Sequence, residues 1–178
     1  TREQILYLVT SINELNDMAD YILIDTGAGI NDQVLEFVMA SPEVLLVTTP
    51  EPSSLTDSYS LLKVLYRNPG FSDADTKIHI VANRVNSREE GQALYEKVNS
   101  VVSQFLHGSL NFLGMIPQDL ALEKAVRQQK TVALSYPNAK SSHAIENLAE
   151  NLLNGTQEEI RERWGIVQMF SSFLSNRK

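Results

Sequence analysis

The chain has 178 residues, 43% of them hydrophobic and 21% charged, with a net charge of −7 and no cysteine. That is the composition of one globular domain large enough to bury a core. It excludes disulfides and thiolate metal sites, and an acidic body argues against general nucleic-acid binding, which needs a basic face to displace phosphate counterions.

In chain order, residues from about Glu3 to Met18 read as a helix with Ile5, Leu8, Ile12 and Leu15 on one face. Tyr21–Asp25 reads as a buried strand, and Asp32–Ala40 as a short helix ended by Ser41-Pro42. Val44–Val47 is the next strand and Ser54–Tyr66 the next helix. Lys77–Ala82 is a third strand. Ser87, with Glu90 three residues later, has the form of a capping box opening a helix that runs to about Leu106. Asn111–Ile116 is a fourth strand, followed by helices over Leu120–Gln128 and Asn138–Leu153. The strands are continuously apolar and alternate with helices, which predicts an α/β fold: a parallel sheet with helices on both faces. The composition shifts at Asn154-Gly155-Thr156, dividing a domain over 1–155 from a tail over 156–178.

Parallel α/β sheets bind ligands outside the carboxyl ends of their strands. That rule selects Asp25–Ile30, Thr48–Ser54, Asn83–Asn86 and Pro117–Asp119 as one rim. Asp25 at a strand end could hold a Mg²⁺-bound water, and Gly27 and Gly29 would let backbone N–H groups approach a phosphate. The same residues also fit a plain strand and turn. The Asn83 amide can both donate to and accept from a base edge, and Arg84 can stack on its face, although Asn is also a good turn residue. Pro117 leaves a carbonyl free beside a fixed backbone, or simply sets the first turn of a helix. The histidines His79, His107 and His143 lie far apart, without ligand spacing, and read as structural or surface residues.

The tail differs from the body. Arg161, Arg163, Arg177 and Lys178 against Glu162 leave +3 from residue 161 onward, so the remainder carries −10. On a helical projection Ile166, Val167, Met169, Phe170, Phe173 and Leu174 fall within about 160° of arc, with Trp164 at the boundary. Bulky apolar residues bracketed by bases compose an interfacial membrane anchor, or a terminal helix packed on the core. No apolar stretch approaches the roughly twenty residues of a spanning helix.

Taken together, Asp25-Thr26-Gly27-Ala28-Gly29-Ile30, Thr48-Thr49-Pro50-Glu51-Pro52-Ser53-Ser54-Leu55-Thr56-Asp57, Val81–Val85 and Gly114–Asp119 resemble the MinD/ParA group of deviant-Walker-A ATPases. The Thr-Thr-Pro-Glu-Pro segment resembles the FlhG branch, the flagellum-number regulators. The resemblance implies a P-loop NTPase fold and an ATPase using ATP and Mg²⁺. Asp25 would be the switch aspartate near Mg²⁺, with Gly27 and Gly29 flanking the γ-phosphate. Asn83, Arg84 and the Pro117–Asp119 region would hold adenine. Glu51 and Asp57 would lie near the face where two subunits sandwich ATP.

The same resemblance implies a homodimer with ATP, a cytoplasmic protein peripheral on the inner face of the cell membrane, and partners in an FlhF-type GTPase and flagellar C-ring proteins. The membrane contacts would come from Trp164, Ile166, Val167, Phe170, Phe173 and Leu174. The family's Gly-rich lysine loop and its switch I aspartate do not occur in these residues. The expectation is a C-terminal part of a longer ATPase that does not hydrolyse ATP by itself. Two rival readings are a ParA-type partition ATPase, which would want a basic surface, and a nucleotide-free interaction module.

Overall fold

The computed structural model describes residues 18–27 and 29–156. Its elements in chain order are α1 (Asp32–Ala40), β1 (Glu43–Thr48), α2 (Pro52–Arg67), β2 (Lys77–Val85), α3 (Arg88–Leu106), β3 (Asn111–Pro117), α4 (Leu120–Arg127), α5 (Val132–Ser135) and α6 (Lys140–Thr156). The helix expected before Met18 and the tail with Trp164, Ile166, Val167, Phe170, Phe173 and Leu174 lie outside the described residues.

The three strands form a parallel sheet in the order β1-β2-β3. Each crossover moves one strand in the same direction, so the connecting helices α2 and α3 share a face, as uniform crossover handedness requires. Val44, Leu46 and Thr48 pair with Ile78, Ile80 and Ala82, and these residues face the larger core. There Leu62 and Leu65 of α2, Val98 and Val102 of α3, and Val34 and Val38 of α1 pack on the strands. Leu62, Leu65, Ile80 and Val102 are fully buried, each contributing roughly 1.5–3 kcal/mol of transfer free energy.

The opposite face is covered by α6, whose Leu148 packs on Val81 and Leu113, with Leu152 beside it. This second layer stops at β2: Leu45 and Val47 of β1 point to the same face and remain exposed.

Two irregularities shape the sheet. Ile80 pairs with Phe112 but Val81 with Gly114, so Leu113 is an extra residue on β3. Its carbonyl is taken by the Asn151 amide of α6 at 2.9 Å. Gly114 has φ +150, and a Cβ there would lie 2.8 Å from Leu148, so glycine serves both the bulge and the close approach of α6. The second irregularity adds Arg84 to β2, between Asn83 and Val85.

One expected strand is absent. Tyr21–Asp25 forms no strand and has no paired neighbour among the described residues, and Tyr21, Leu23 and Ile24 face solvent, with Leu23 83% exposed. Composition marks it as strand material, but a buried strand also needs backbone partners and covered faces, and the described residues supply neither. Smaller differences are that α2 starts at Pro52, with proline in the first turn, and that β2 runs through Val85. The last helix starts at Lys140, and the four-residue α5 was not foreseen. His79, at the amino end of the sheet, is bonded to Glu43 on β1, in keeping with a structural role.

Candidate functional site

The carboxyl ends of all three strands meet around a cleft of about 250 Å³. The segment after β1 supplies Thr49, Pro50 and Glu51, the end of β2 supplies Arg84 and Asn86, and Gln118 follows β3. Glu90 closes it from the first turn of α3.

Each wall is fixed by local chemistry. After β1, the Ser54 hydroxyl accepts from the Thr49 N–H at 3.0 Å and shares a 3.0 Å hydrogen bond with the Thr48 hydroxyl. These bonds hold the Thr49–Glu51 turn against the start of α2. At the end of β2 the bulge puts Arg84 at φ +57, a left-handed conformation uncommon for a residue with a side chain. The Asn83 side-chain carbonyl accepts from the Arg84 N–H at 2.9 Å. Beyond the bulge the sheet resumes, with the Gln118 N–H donating to the Val85 carbonyl at 2.9 Å. The extra residue thus turns the Arg84 side chain off the strand line toward Glu51, which accepts from its guanidinium at 3.1 Å.

The capping box at the start of α3 forms, with one change from the simplest pattern. The Ser87 hydroxyl accepts from the Glu90 N–H at 3.2 Å. The Glu90 carboxylate reaches one residue further back, accepting from the Asn86 backbone at 2.6 Å and from its side-chain amide at 3.1 Å. Gly91 lets this turn approach β3, since a Cβ there would stand 3.0 Å from the Met115 side chain.

The cleft therefore presents a guanidinium, two side-chain amides and two carboxylates on a fixed backbone. It also contains the Thr49 hydroxyl, whose oxygen is buried and has no hydrogen-bond partner. A buried hydroxyl without a partner costs about 1–3 kcal/mol. A flat heterocycle with donors and acceptors on its edge fits this donor set: Arg84 offers a face to stack on, and Asn86 and Gln118 offer both donors and acceptors.

The sequence-predicted residues divide accordingly. Arg84 and Glu51 meet in the cleft, and Asn83 and Pro117 flank it. Asp119 caps α4 by accepting from the Ala121 N–H at 2.8 Å, and its other oxygen accepts from the Ser141 N–H at 3.0 Å and hydroxyl at 2.9 Å. The Ser141 and Ala121 backbone donors hold its carboxyl below the usual carboxylate range, aided by the Ser141 hydroxyl and by Lys140. Both Asp119 oxygens are thereby engaged within the fold. Asp57 is exposed on α2.

Asp25, Gly27 and Gly29 do not line the cleft. Asp25 ends the exposed Tyr21–Asp25 stretch and the two glycines follow it, with no atom beyond their chain neighbours within 4 Å of a Cβ built on either. Among the described residues no group of three or more His, Cys, Asp or Glu side chains gathers to hold a metal ion. Thr49, Asn86, Glu90 and Gln118 were not singled out from sequence as ligand contacts. The strand-end rule marked the segments of three of them, and the capping pattern marked Glu90.

Comparison with known proteins decides the family. The antiactivator FleN of Pseudomonas aeruginosa is 38% identical over 145 residues, 82% of this chain and 50% of that protein. The flagellum site-determining protein YlxH of Helicobacter pylori is 35% identical over 158 residues, 87% of this chain and 52% of that protein. The chain belongs to the MinD/ParA group. The solved septum site-determining protein MinD of Pyrococcus horikoshii, complexed with Mg-ADP, superposes with a TM-score of 0.59 at 25% identity, covering 82% of this chain and 55% of that one. No family model matches the sequence. The chain spans about half the length of the curated relatives it matches. Within the MinD/ParA fold, the α/β architecture expected from the sequence is the one observed.

Proposed function

We propose that this chain carries the base-binding side of an ATP-dependent, MinD-like switch that regulates flagellar number and placement. The observation that supports it is the cleft where three strand ends bring Thr49, Arg84, Asn86 and Gln118 together. In this reading Arg84 stacks on adenine while Asn86 and Gln118 bond its edge. Asn83 holds the bulge that aims Arg84, and Pro117 fixes the backbone ahead of Gln118. The flagellar assignment is supported by the likeness to YlxH, a flagellum site-determining protein.

ATP and Mg²⁺ are the cofactors of the whole switch. Mg²⁺ would supply charge neutralisation at the transferred phosphate. Asp25 is the carboxylate proposed to reach it through water, with Gly27 and Gly29 beside the γ-phosphate. In the described structure these three stand outside the cleft. The 178-residue chain is expected not to hydrolyse ATP alone, and Mg²⁺-dependent turnover by it would contradict that.

The proposal continues with an ATP-bound homodimer near Glu51 and Asp57, and with the tail residues Trp164, Ile166, Val167, Phe170, Phe173 and Leu174 docking on an anionic membrane. Two weak tails on one dimer would give reversible avidity. An FlhF-type GTPase and flagellar C-ring proteins are the proposed partners. Among the described residues no helix is long and apolar enough to cross a membrane.

Titrating adenosine and guanosine into the isotopically labelled chain tests the cleft. Saturable NMR shifts at Thr49, Arg84, Asn86 and Gln118 with adenosine, weakened severalfold by Arg84→Ala, are expected. Equal response to guanosine, or indifference to Arg84→Ala, would contradict the base site. Liposome co-sedimentation with Phe170→Glu or Phe173→Glu tests the tail, and undiminished pelleting would sink that part.

A further inference from the structure

Helices α4 and α5, with the turn between them, form a surface that the nucleotide reading does not use. Leu120 is 79% exposed, Val126 66% and Leu134 84%, three aliphatic side chains in water within one short segment. Bases are interleaved with them. Residues 120–134 carry Lys124, Arg127 and Lys130 against Glu123, a net of +2, so the rest of the chain carries −9. Arg127 and Lys130 have no acidic partner among the described residues, and Lys124 stands 5.8 Å from the centre of the Tyr136 ring.

Local bonds shape this surface. Asp119 caps α4, Ala125 is fully buried beneath it, and the turn is closed by the Gln128 N–H on the Lys124 and Ala125 carbonyls, each at 3.1 Å. The Lys130 N–H closes it further, on the Ala125 carbonyl at 3.0 Å. Gln129 takes φ +54 to make the turn.

We infer that this α4–α5 surface docks an acidic, aliphatic-rich segment of a partner protein. Charge complementarity selects the partner: a basic island on an acidic molecule attracts acidic segments and orients them onto this face. The aliphatic side chains decide the class. Phosphate contacts would reward the bases but leave Leu120, Val126 and Leu134 in water. A flat membrane would need them on one plane, whereas Leu120 and Val126 project about 120° apart around α4. A polypeptide can wrap both faces, and the preformed turn reduces the ordering cost of binding. The inference does not depend on the base site, although α4 starts two residues after Gln118.

The test is fluorescence anisotropy of the 178-residue chain with a labelled amphipathic peptide of leucine and glutamate. The lysine counterpart of that peptide and a short DNA duplex serve as competitors. Expected is saturable, salt-sensitive binding of the glutamate peptide, weakened about tenfold by Arg127→Glu with Lys130→Glu and severalfold by Leu134→Ser. Thermal unfolding and the adenosine response of these variants should match the parent, because all three sites are exposed and outside the cleft. No binding of the glutamate peptide, equal binding of the lysine peptide, displacement by DNA, or binding indifferent to the substitutions would each overturn the proposal.

Discussion

The rim cleft and the Tyr21–Gly27 segment have equally suggestive sequences and opposite structures. Around the cleft, every turn is tied to a neighbour: Thr49 to Ser54, Arg84 to Asn83 and Glu51, Asn86 to Glu90, and Gln118 to Val85. The Asp25-Thr26-Gly27 stretch has its apolar approach exposed and no strand beside it. A motif fixes which atoms are available. Only pairing and packing fix where they are, and the difference between the two regions is a difference in partners.

That contrast can be broken first through stability. Ile80→Ala in β2 should cost about 2–5 kcal/mol, as removal of a fully buried side chain does. Leu23→Ala should change stability by less than about 0.5 kcal/mol, as at an exposed site. Urea unfolding of both variants checks it, and a comparable loss for Leu23→Ala would mean that Tyr21–Asp25 packs into the domain.

Next comes the carboxylate that ties β3 to α6. Asp119→Ala should cost about 1–2 kcal/mol through the lost helix cap, with the bonds to Ser141 lost as well. The pH dependence has a definite sign. Asp119 is held below its usual value, so its contribution is complete above the unfolded pKa of about 3.9 and disappears as pH falls through the lowered folded value. Asp119→Asn should therefore be less stable than the parent at neutral pH, and the gap should narrow on acidification. A gap that widens in acid would contradict the assigned bonds.

Smaller still, Ser54→Ala removes the hydroxyl that accepts from the Thr49 N–H. It should cost about 1 kcal/mol and raise hydrogen exchange at Thr49. Smallest is Glu51→Gln. The Glu51–Arg84 pair is exposed, and such pairs contribute at most about 1 kcal/mol, so stability should barely move while the Arg84 side-chain resonance shifts.

Much of the fold was legible because its signals are local. Val44–Val47, Lys77–Ala82 and Asn111–Ile116 are short runs dominated by apolar residues, and each became a strand. Ser87 and Glu90 announced the start of α3, and the strand-end rule placed the rim. What escaped was non-local. Tyr21–Asp25 has the same composition as the strands that formed, but composition does not reveal whether a neighbour accepts its hydrogen bonds. Arg84 was picked for its chemistry, yet its direction comes from a bulge that only the pairing of β2 with β3 reveals. The resemblance puts Asp119 in the adenine-holding region, and the sequence did not reveal that its oxygens also accept at the α4 cap and from Ser141, which lies 22 residues further along the chain. Asn86 and Gln118 gained significance only when three strand ends met.

Photolabelling of the chain with 8-azidoadenosine, followed by peptide mapping, tests the central claim most directly. The account predicts label on peptides containing Thr49–Glu51, Arg84–Glu90 or Gln118, suppressed by excess adenosine and reduced by Arg84→Ala. Label concentrated on Tyr21–Ile30, or scattered and insensitive to adenosine, would contradict a base site at the carboxyl ends of these three strands.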